Sequence, residues 1–356
     1  MKKSIFAVCD LEESYACNLT EYMNERKNAP FEVQAFANLE SLSSYAQEHH
    51  IELLLISTEA MCDAVRKLDV ERIIILSDGE KVEEYEREPC VYKYQSSDGL
   101  LAEVMNYYAE SSPALQIMPE ISSNTEIIGV YSPIGRIGKT SFALTLGEIL
   151  GSRQKVLYLN LEDYSGFETL FTEVYRSDLS DLIYFARQKE GNLVYKLNGM
   201  IRTFRNLDYI PPAFSPGDLR EVHCEEWLKF IREIAVCGGY EVLILDMGNQ
   251  IEEWFQILRQ CSRIYMPVLE DPVSRGKLLQ FEKILSALEY EDVQEKIKKL
   301  QLPSWNEPQN AEDRIEWLLH GELGYFVRRL TAEEQKERNS TVRAKKYIFL
   351  GEDDNE

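Results

Sequence analysis

The stretch EIIGVYSPIGRIGKTSFALTLGEIL, residues 126–150, decides how this chain is read. It opens on an apolar run, residues 127–131, of the kind that forms a buried strand. Two glycines follow, Gly135 and Gly138, then Lys139, Thr140 and Ser141, and then an amphipathic helical pattern. Strand, glycine-bearing turn, Lys-Thr and helix in that order are the context of a phosphate-binding loop. Glycine lets backbone N–H groups curl around phosphate oxygens, and the start of a helix adds partial positive charge. A lysine reaches the terminal phosphates, and a threonine hydroxyl ligates magnesium. The residues expected around the phosphates are therefore Gly135, Arg136, Ile137, Gly138, Lys139, Thr140 and Ser141, with Thr140 on the metal. Aligned on Gly138-Lys139-Thr140, the first glycine of the strict G-x-x-x-x-G-K-[ST] spacing falls on Pro133, so the strict motif fails.

Working outward, 356 residues are long for one domain and natural for two. A hydrophobic content of 44% supplies ample core, and no run is apolar and long enough to cross a bilayer. The start, MKKSIFAVCDLEE, reaches acids too soon for a secretory signal and reads as a first strand. The seven cysteines lack any C-x-x-C pair, which points to reduced, mostly buried thiols and a cytoplasmic location. A net charge of −22 repels nucleic acid and anionic lipid at long range. Binding to DNA is disfavoured, although Arg328 with Arg329, or residues 343–346, offer local basic patches.

Apolar runs at 5–8, 31–36, 53–56, 73–76 and 91–94 alternate with helical patterns at 14–22, 39–48, 58–67, 82–86 and 98–108. Five strands and intervening helices in this length predict a doubly wound α/β domain over residues 1–110. Residues 111–125, with two prolines, four serines and an asparagine, read as a linker. A second α/β domain is expected over 126–356. Its strands include 155–160 and the run VLILD at 242–246, which carries Asp246 to the carboxyl edge of a sheet, where α/β proteins place ligand-contacting groups. A strand at 262–268, a helix at 275–288 and a final structural helix at 321–330 complete the pattern.

The stretch SPIGRIGKT resembles the deviant loop of the ParA/MinD-like ATPases. In that pattern a second, signature lysine stands where this chain has Ile134, and a glycine where it has Arg136. The resemblance implies a P-loop NTPase domain that binds ATP with Mg2+. It also makes Asp246 the Walker B carboxylate that holds magnesium, and Gly248 the glycine whose N–H approaches the γ-phosphate. The family's D-x-D falls on Asn160 and Glu162, with Asp163 beside them, so Glu162 is the implied base and Lys139, Glu162 and Asp246 the implied catalytic set. The family's lysine crosses a nucleotide-sandwich homodimer. Its replacement by Ile134 implies slow or absent hydrolysis, because such a trans cation contributes on the order of 10³ or more. Arg136 supplies a substitute guanidinium or simply faces solvent.

Residues 1–110 resemble a response-regulator receiver, a flavodoxin-like fold. Asp10, Glu12 and Glu13 stand at the receiver's acidic cluster, Ser77 at its Ser/Thr position and Lys93 near its lysine, but Ser57 occupies the place of the phosphorylatable aspartate. A receiver-like domain ahead of a ParA/MinD-like ATPase is the layout of the TadZ/CpaE group, which helps position Tad/Flp-type pilus secretion machinery. That resemblance implies a cytoplasmic, nucleotide-switched dimer with weak ATPase activity. Its partners would be components of a pilus or secretion complex, and it would reach the membrane or cell pole only through them. A non-catalytic scaffold and a ParA-like partition or cell-division-site ATPase remain the alternatives.

Overall fold

The computed structural model describes residues 4–25, 31–79, 88–111, 125–171, 175–188, 192–304 and 314–350. The linker expected at 111–125 and the helix at 82–86 lie outside them, apart from Ser111 and Thr125. In chain order the first elements are β1 (Ser4–Cys9), α1 (Glu13–Glu25), β2 (Phe31–Phe36), α2 (Leu39–Glu48), β3 (Ile51–Ser57), β4 (Val70–Ser77), β5 (Cys90–Tyr92) and α3 (Ser97–Ser111). There follow β6 (Glu126–Val130), α4 (Lys139–Gly151), β7 (Val156–Leu161), α5 (Phe167–Phe171), α6 (Leu179–Gln188), α7 (Leu193–Met200), β8 (Arg202–Phe204) and β9 (Leu207–Tyr209). The rest are α8 (Pro216–Arg220), α9 (Cys224–Cys237), β10 (Val242–Met247), α10 (Trp254–Gln260), β11 (Arg263–Pro267), α11 (Pro272–Ala287), α12 (Glu291–Glu295), β12 (Ile297–Leu300), α13 (Arg314–His320) and α14 (Glu322–Leu350).

Among the described residues, contacts divide the chain into two compact units. The first contains a five-stranded sheet in the order β2-β1-β3-β4-β5, with every recorded pair parallel. This is the 2-1-3-4-5 order of a doubly wound sheet. Its central strand β3, IELLLIS, is almost wholly buried, as a strand covered on both faces must be. The helix expected at 58–67 is instead a turn on Ser57 O, which accepts from the N–H of both Ala60 and Met61, and a single 3₁₀ turn at Val65–Lys67. Ala60, Met61 and Val65 are buried in this way without a continuous helix, so their apolar spacing misled the periodicity reading.

The first unit also takes in Ser177–Arg202 and Lys229–Gly239, both of which the sequence assigns to the domain starting at 126. Two details explain the grouping of the first of these stretches. Tyr195 on α7 stacks on Phe31, ring centroids 5.3 Å apart, and meets Tyr108 edge-on at 4.5 Å. Asn192 N–H also donates to Ala109 O at 3.0 Å, satisfying a carbonyl in the last turn of α3.

The second unit is built on a seven-stranded sheet in the order β12-β11-β6-β10-β7-β9-β8. The two residues between β8 and β9 allow only an antiparallel return, whereas the recorded pairs of the other strands are parallel. β10 lies between β6 and β7 and is fully buried. β12, absent from the sequence reading, forms one border of the sheet. Asp271 caps α11 by accepting from the N–H groups of Val273 and Ser274, both at 3.0 Å. The last helix, α14, extends well past the expected 330. No described helix is long and apolar enough to cross a membrane. Of the six cysteines whose side chains are described, all are free, and only Cys9, Cys224 and Cys261 are buried.

Gly199 tests the placement of α7. A Cβ there would meet Met105 Cβ at 2.9 Å and Ala102 O at 3.3 Å, both on α3. Gly199→Val is expected to cost about 1–3 kcal/mol in denaturant unfolding by overpacking this contact, with faster amide exchange in α3 as the accompanying sign.

Candidate functional site

Register brings the site together. Asp246 pairs with Val130 on one side and with Asn160 on the other, so the carboxylate stands where β6 runs into the loop and where β7 runs into Glu162. The loop leaves β6 through Tyr131 and Ser132. Ser132 Oγ donates to Pro267 O at 2.8 Å and accepts from Ile134 N–H at 3.1 Å, which fixes the first bend. Ile134 is buried (4% exposed) and Ile137 nearly so, and both turn inward as packing residues. Arg136 is exposed, has φ 56° and forms no ion pair among the described residues. Left-handed backbone suits glycine, and an arginine there carries roughly 1–2 kcal/mol of strain. Gly138, φ 82°, is the N-cap of α4 and supplies no side-chain cap. The first-turn N–H groups of Lys139, Thr140 and Ser141 are therefore left facing the concavity of the loop, with the left-handed residues forming a nest for an anion. Gly135 is exposed, and a Cβ there would meet nothing within 4 Å.

Lys139 does not reach into open space. Its Nζ lies 2.5 Å from Glu162 Oε1 and donates to Met247 O at 3.3 Å, with Tyr131 a ring face 5.8 Å away. Glu162 is held in turn through its N–H, which donates to Asn160 Oδ1 at 3.0 Å. The amide at 160 thus orients the residue that grips the lysine.

Asp246 is fully buried. Its Oδ2 accepts from the Tyr158 hydroxyl at 2.8 Å, and Asn160 Nδ2 reaches Tyr158 Oη at 2.9 Å and Asp246 Oδ2 at 3.5 Å. Its Oδ1 has no hydrogen-bond partner. Burial first, and the Glu162 charge second, push the Asp246 carboxyl up to about 6, against the pull of the Thr140 hydroxyl, Lys139 and Tyr158. The phenol of Tyr158 is itself raised well above its ordinary value, chiefly by burial and then by Asp246, so it stays a donor. Tyr158 was missed in the sequence, although its place two residues before Asn160 on one strand puts both side chains on the same face. Gly248 is engaged differently from the expectation. Its N–H donates to Leu161 O at 3.2 Å, and a Cβ would meet that oxygen at 2.8 Å, so the glycine allows β10 and β7 to close together at their ends.

The first unit carries a second cluster, at the carboxyl edge of its own sheet. Asp10 Oδ2 and Glu12 Oε2 lie 2.8 and 3.3 Å from Lys93 Nζ. Burial would pull the Lys93 ammonium down, but the hydrogen bonds and charges of Asp10 and Glu12 outweigh it and hold its pKa above the usual lysine value. Ser57 Oγ beside them is buried without a hydrogen-bond partner.

No protein-family model matches the chain, and the search of curated proteins returned no match. Solved structures do resemble part of it. A ParA family ATPase from Chlorobium tepidum TLS is 15% identical over 57% of this chain and 97% of that one, with a TM-score of 0.46. A putative plasmid partition protein from Borrelia burgdorferi B31, bound to AMPPNP, is 13% identical over 60% and 99%, with a TM-score of 0.45. The MinC:MinD cell division protein complex of Aquifex aeolicus is 19% identical over 49% and 67%, with a TM-score of 0.37.

Proposed function

We propose that the chain is an ATP-binding assembly or localisation factor of the ParA/MinD type, with slow hydrolysis. The observation that carries the reading is the uncapped start of α4 behind a left-handed loop, opposite a buried carboxylate with one unsatisfied oxygen. The triphosphate would lie against the N–H groups of residues 135–141, with Lys139 as its cation. Thr140 and Asp246 fit a magnesium ion: a buried carboxylate oxygen without a donor is what a cation, or its bound water, would satisfy. When bound, the ion would neutralise phosphate charge. Glu162 is the base in this reading, and in the absence of nucleotide it is also the partner of Lys139. ATP must then displace one carboxylate to obtain the lysine. Ile134 supports slow turnover, since a buried isoleucine offers no charge to a second copy.

The finer reading is a TadZ/CpaE-like protein. It would act as a homodimer that helps place pilus or secretion machinery, sit in the cytoplasm and reach the membrane or cell pole through protein partners. The 2-1-3-4-5 sheet preceding a P-loop unit supports it, as does Ser57 in place of an aspartate. The domains would then run over 1–110 and 126–356, with 111–125 between them. The first would be a pseudo-receiver, because a serine hydroxyl cannot form an acyl phosphate and Lys93 already neutralises Asp10. The net charge of −22 speaks against a DNA-partition role.

Calorimetric titration with ATP and magnesium tests the site. Lys139→Ala is expected to weaken ATP binding at least tenfold. Glu162→Gln is expected to tighten it roughly three- to tenfold, the worth of one ordinary hydrogen bond, while lowering phosphate release. Loosened binding in Glu162→Gln would contradict the displacement of Glu162 by ATP. Acetyl phosphate should leave the mass of the protein unchanged, and a stable phospho-adduct would end the pseudo-receiver reading.

Asp246 sets a pH dependence in the nucleotide-free protein. Its native pKa of about 6 lies above the ordinary 3.8, so the unfolded chain loses this proton first. Its contribution is intact below pH ~4 and falls away as pH rises towards ~6, by an amount on the order of 2–3 kcal/mol. Asp246→Asn is expected to flatten that part of the urea-stability profile and to raise stability at pH 7.

A further inference from the structure

The second unit holds a cavity of about 660 Å³ at the amino-terminal ends of its sheet strands, opposite the loop. The helix α4 begins at the loop and ends at this cavity, some 20 Å away for a helix of this length. Its volume lies within the range of small-molecule sites. Four arginines line it: Arg153, Arg205, Arg263 and Arg328.

Two of them are already neutralised. Arg263 lies between Glu126 and Glu334, its Nη2 2.5 Å from Glu126 Oε1, and Arg205 pairs with Glu316 at 3.2 Å. Glu334 is shared with Lys298 at 2.8 Å, and Glu148 Oε2 accepts from Asn206 N–H at 3.4 Å. Arg153 and Arg328 differ. Neither has a carboxylate partner among the described residues. Arg153 Nη1 donates to Gln335 Oε1 at 3.3 Å, and Arg328 Nη1 donates to Leu319 O at 2.7 Å.

The second contact explains part of Arg328's role, because a cation suits the last carbonyls of a helix such as α13. It uses one of five guanidinium N–H groups, and Arg153 likewise uses one. The remaining donors of two guanidiniums border one concavity, on a chain whose net charge is −22. Guanidinium forks match phosphate oxygens in geometry as well as in charge. Ile149, Leu150 and Leu319 add an apolar wall. We propose that this cavity binds a phosphorylated small molecule, its phosphate on Arg153 and Arg328 and its organic part against Ile149, Leu150 and Leu319.

The test is calorimetric titration of the full chain with phenyl phosphate and, separately, with inorganic phosphate. Both are run in the Lys139→Ala background as well, so that the loop cannot supply the signal. Phenyl phosphate should bind equally in the two backgrounds, and at least tenfold more tightly than inorganic phosphate. The double variant Arg153→Gln/Arg328→Gln should lose at least tenfold of that affinity. If circular dichroism shows the double variant unfolded, Arg153→Gln alone decides, since Arg153 is exposed and should cost at least threefold. Binding lost with Lys139, binding retained without the two arginines, or equal affinity for the bare anion would each overturn the proposal. A failure here leaves the ATP titrations of the loop untouched.

Discussion

The arrangement of the second unit rests on one buried carboxylate. Asp246 is the penultimate residue of the central strand and has no exposure, with one oxygen on Tyr158, the other without a hydrogen bond, and the Thr140 hydroxyl beside the carboxylate. Removing such a group from water is costly, and its proton affinity rises to match. The groups around it are arranged to keep that cost tolerable: a phenol too deeply buried to ionise, an amide that touches both, and the Lys139 ammonium nearby. A core that evolved for stability alone would put an apolar residue at this position. The strain is local, and in the proposed function it lies where a cation and a polyphosphate would relieve it.

The lysine follows the same logic. An ammonium with no counter-charge would be drawn to whatever anion is near, and here the chain supplies Glu162 at 2.5 Å. The loop is thereby kept in a definite shape without a ligand. Asn160, which holds the Glu162 N–H, joins this arrangement to the carboxylate of the central strand.

Much of this was legible in the sequence for a physical reason. A strand, a glycine turn and a helix start are short-range patterns, and VLILD carries its own burial and its own terminus. The contacts that complete the site are long-range. Tyr158 and Asp246 are 88 residues apart, and no local pattern announces their bond. The same holds for α7, whose packing against α3 depends on the absence of a side chain at Gly199. Residues 58–67 carry helix-like apolar spacing, yet they are buried by turns. β12, IKKL, was missed because two lysines interrupt its apolar run.

That same interruption has a consequence for the chain as a substance in solution. β12 is an outer strand, with backbone groups that another strand could pair with. Lys298 and Lys299 put two adjacent ammonium groups on it, tied to Glu334 on α14 and to Glu282 on α11. Lysines on an outer strand oppose edge-to-edge association. The border they guard is thus defended against the stacking that starts fibrils, by residues that contribute little to the core.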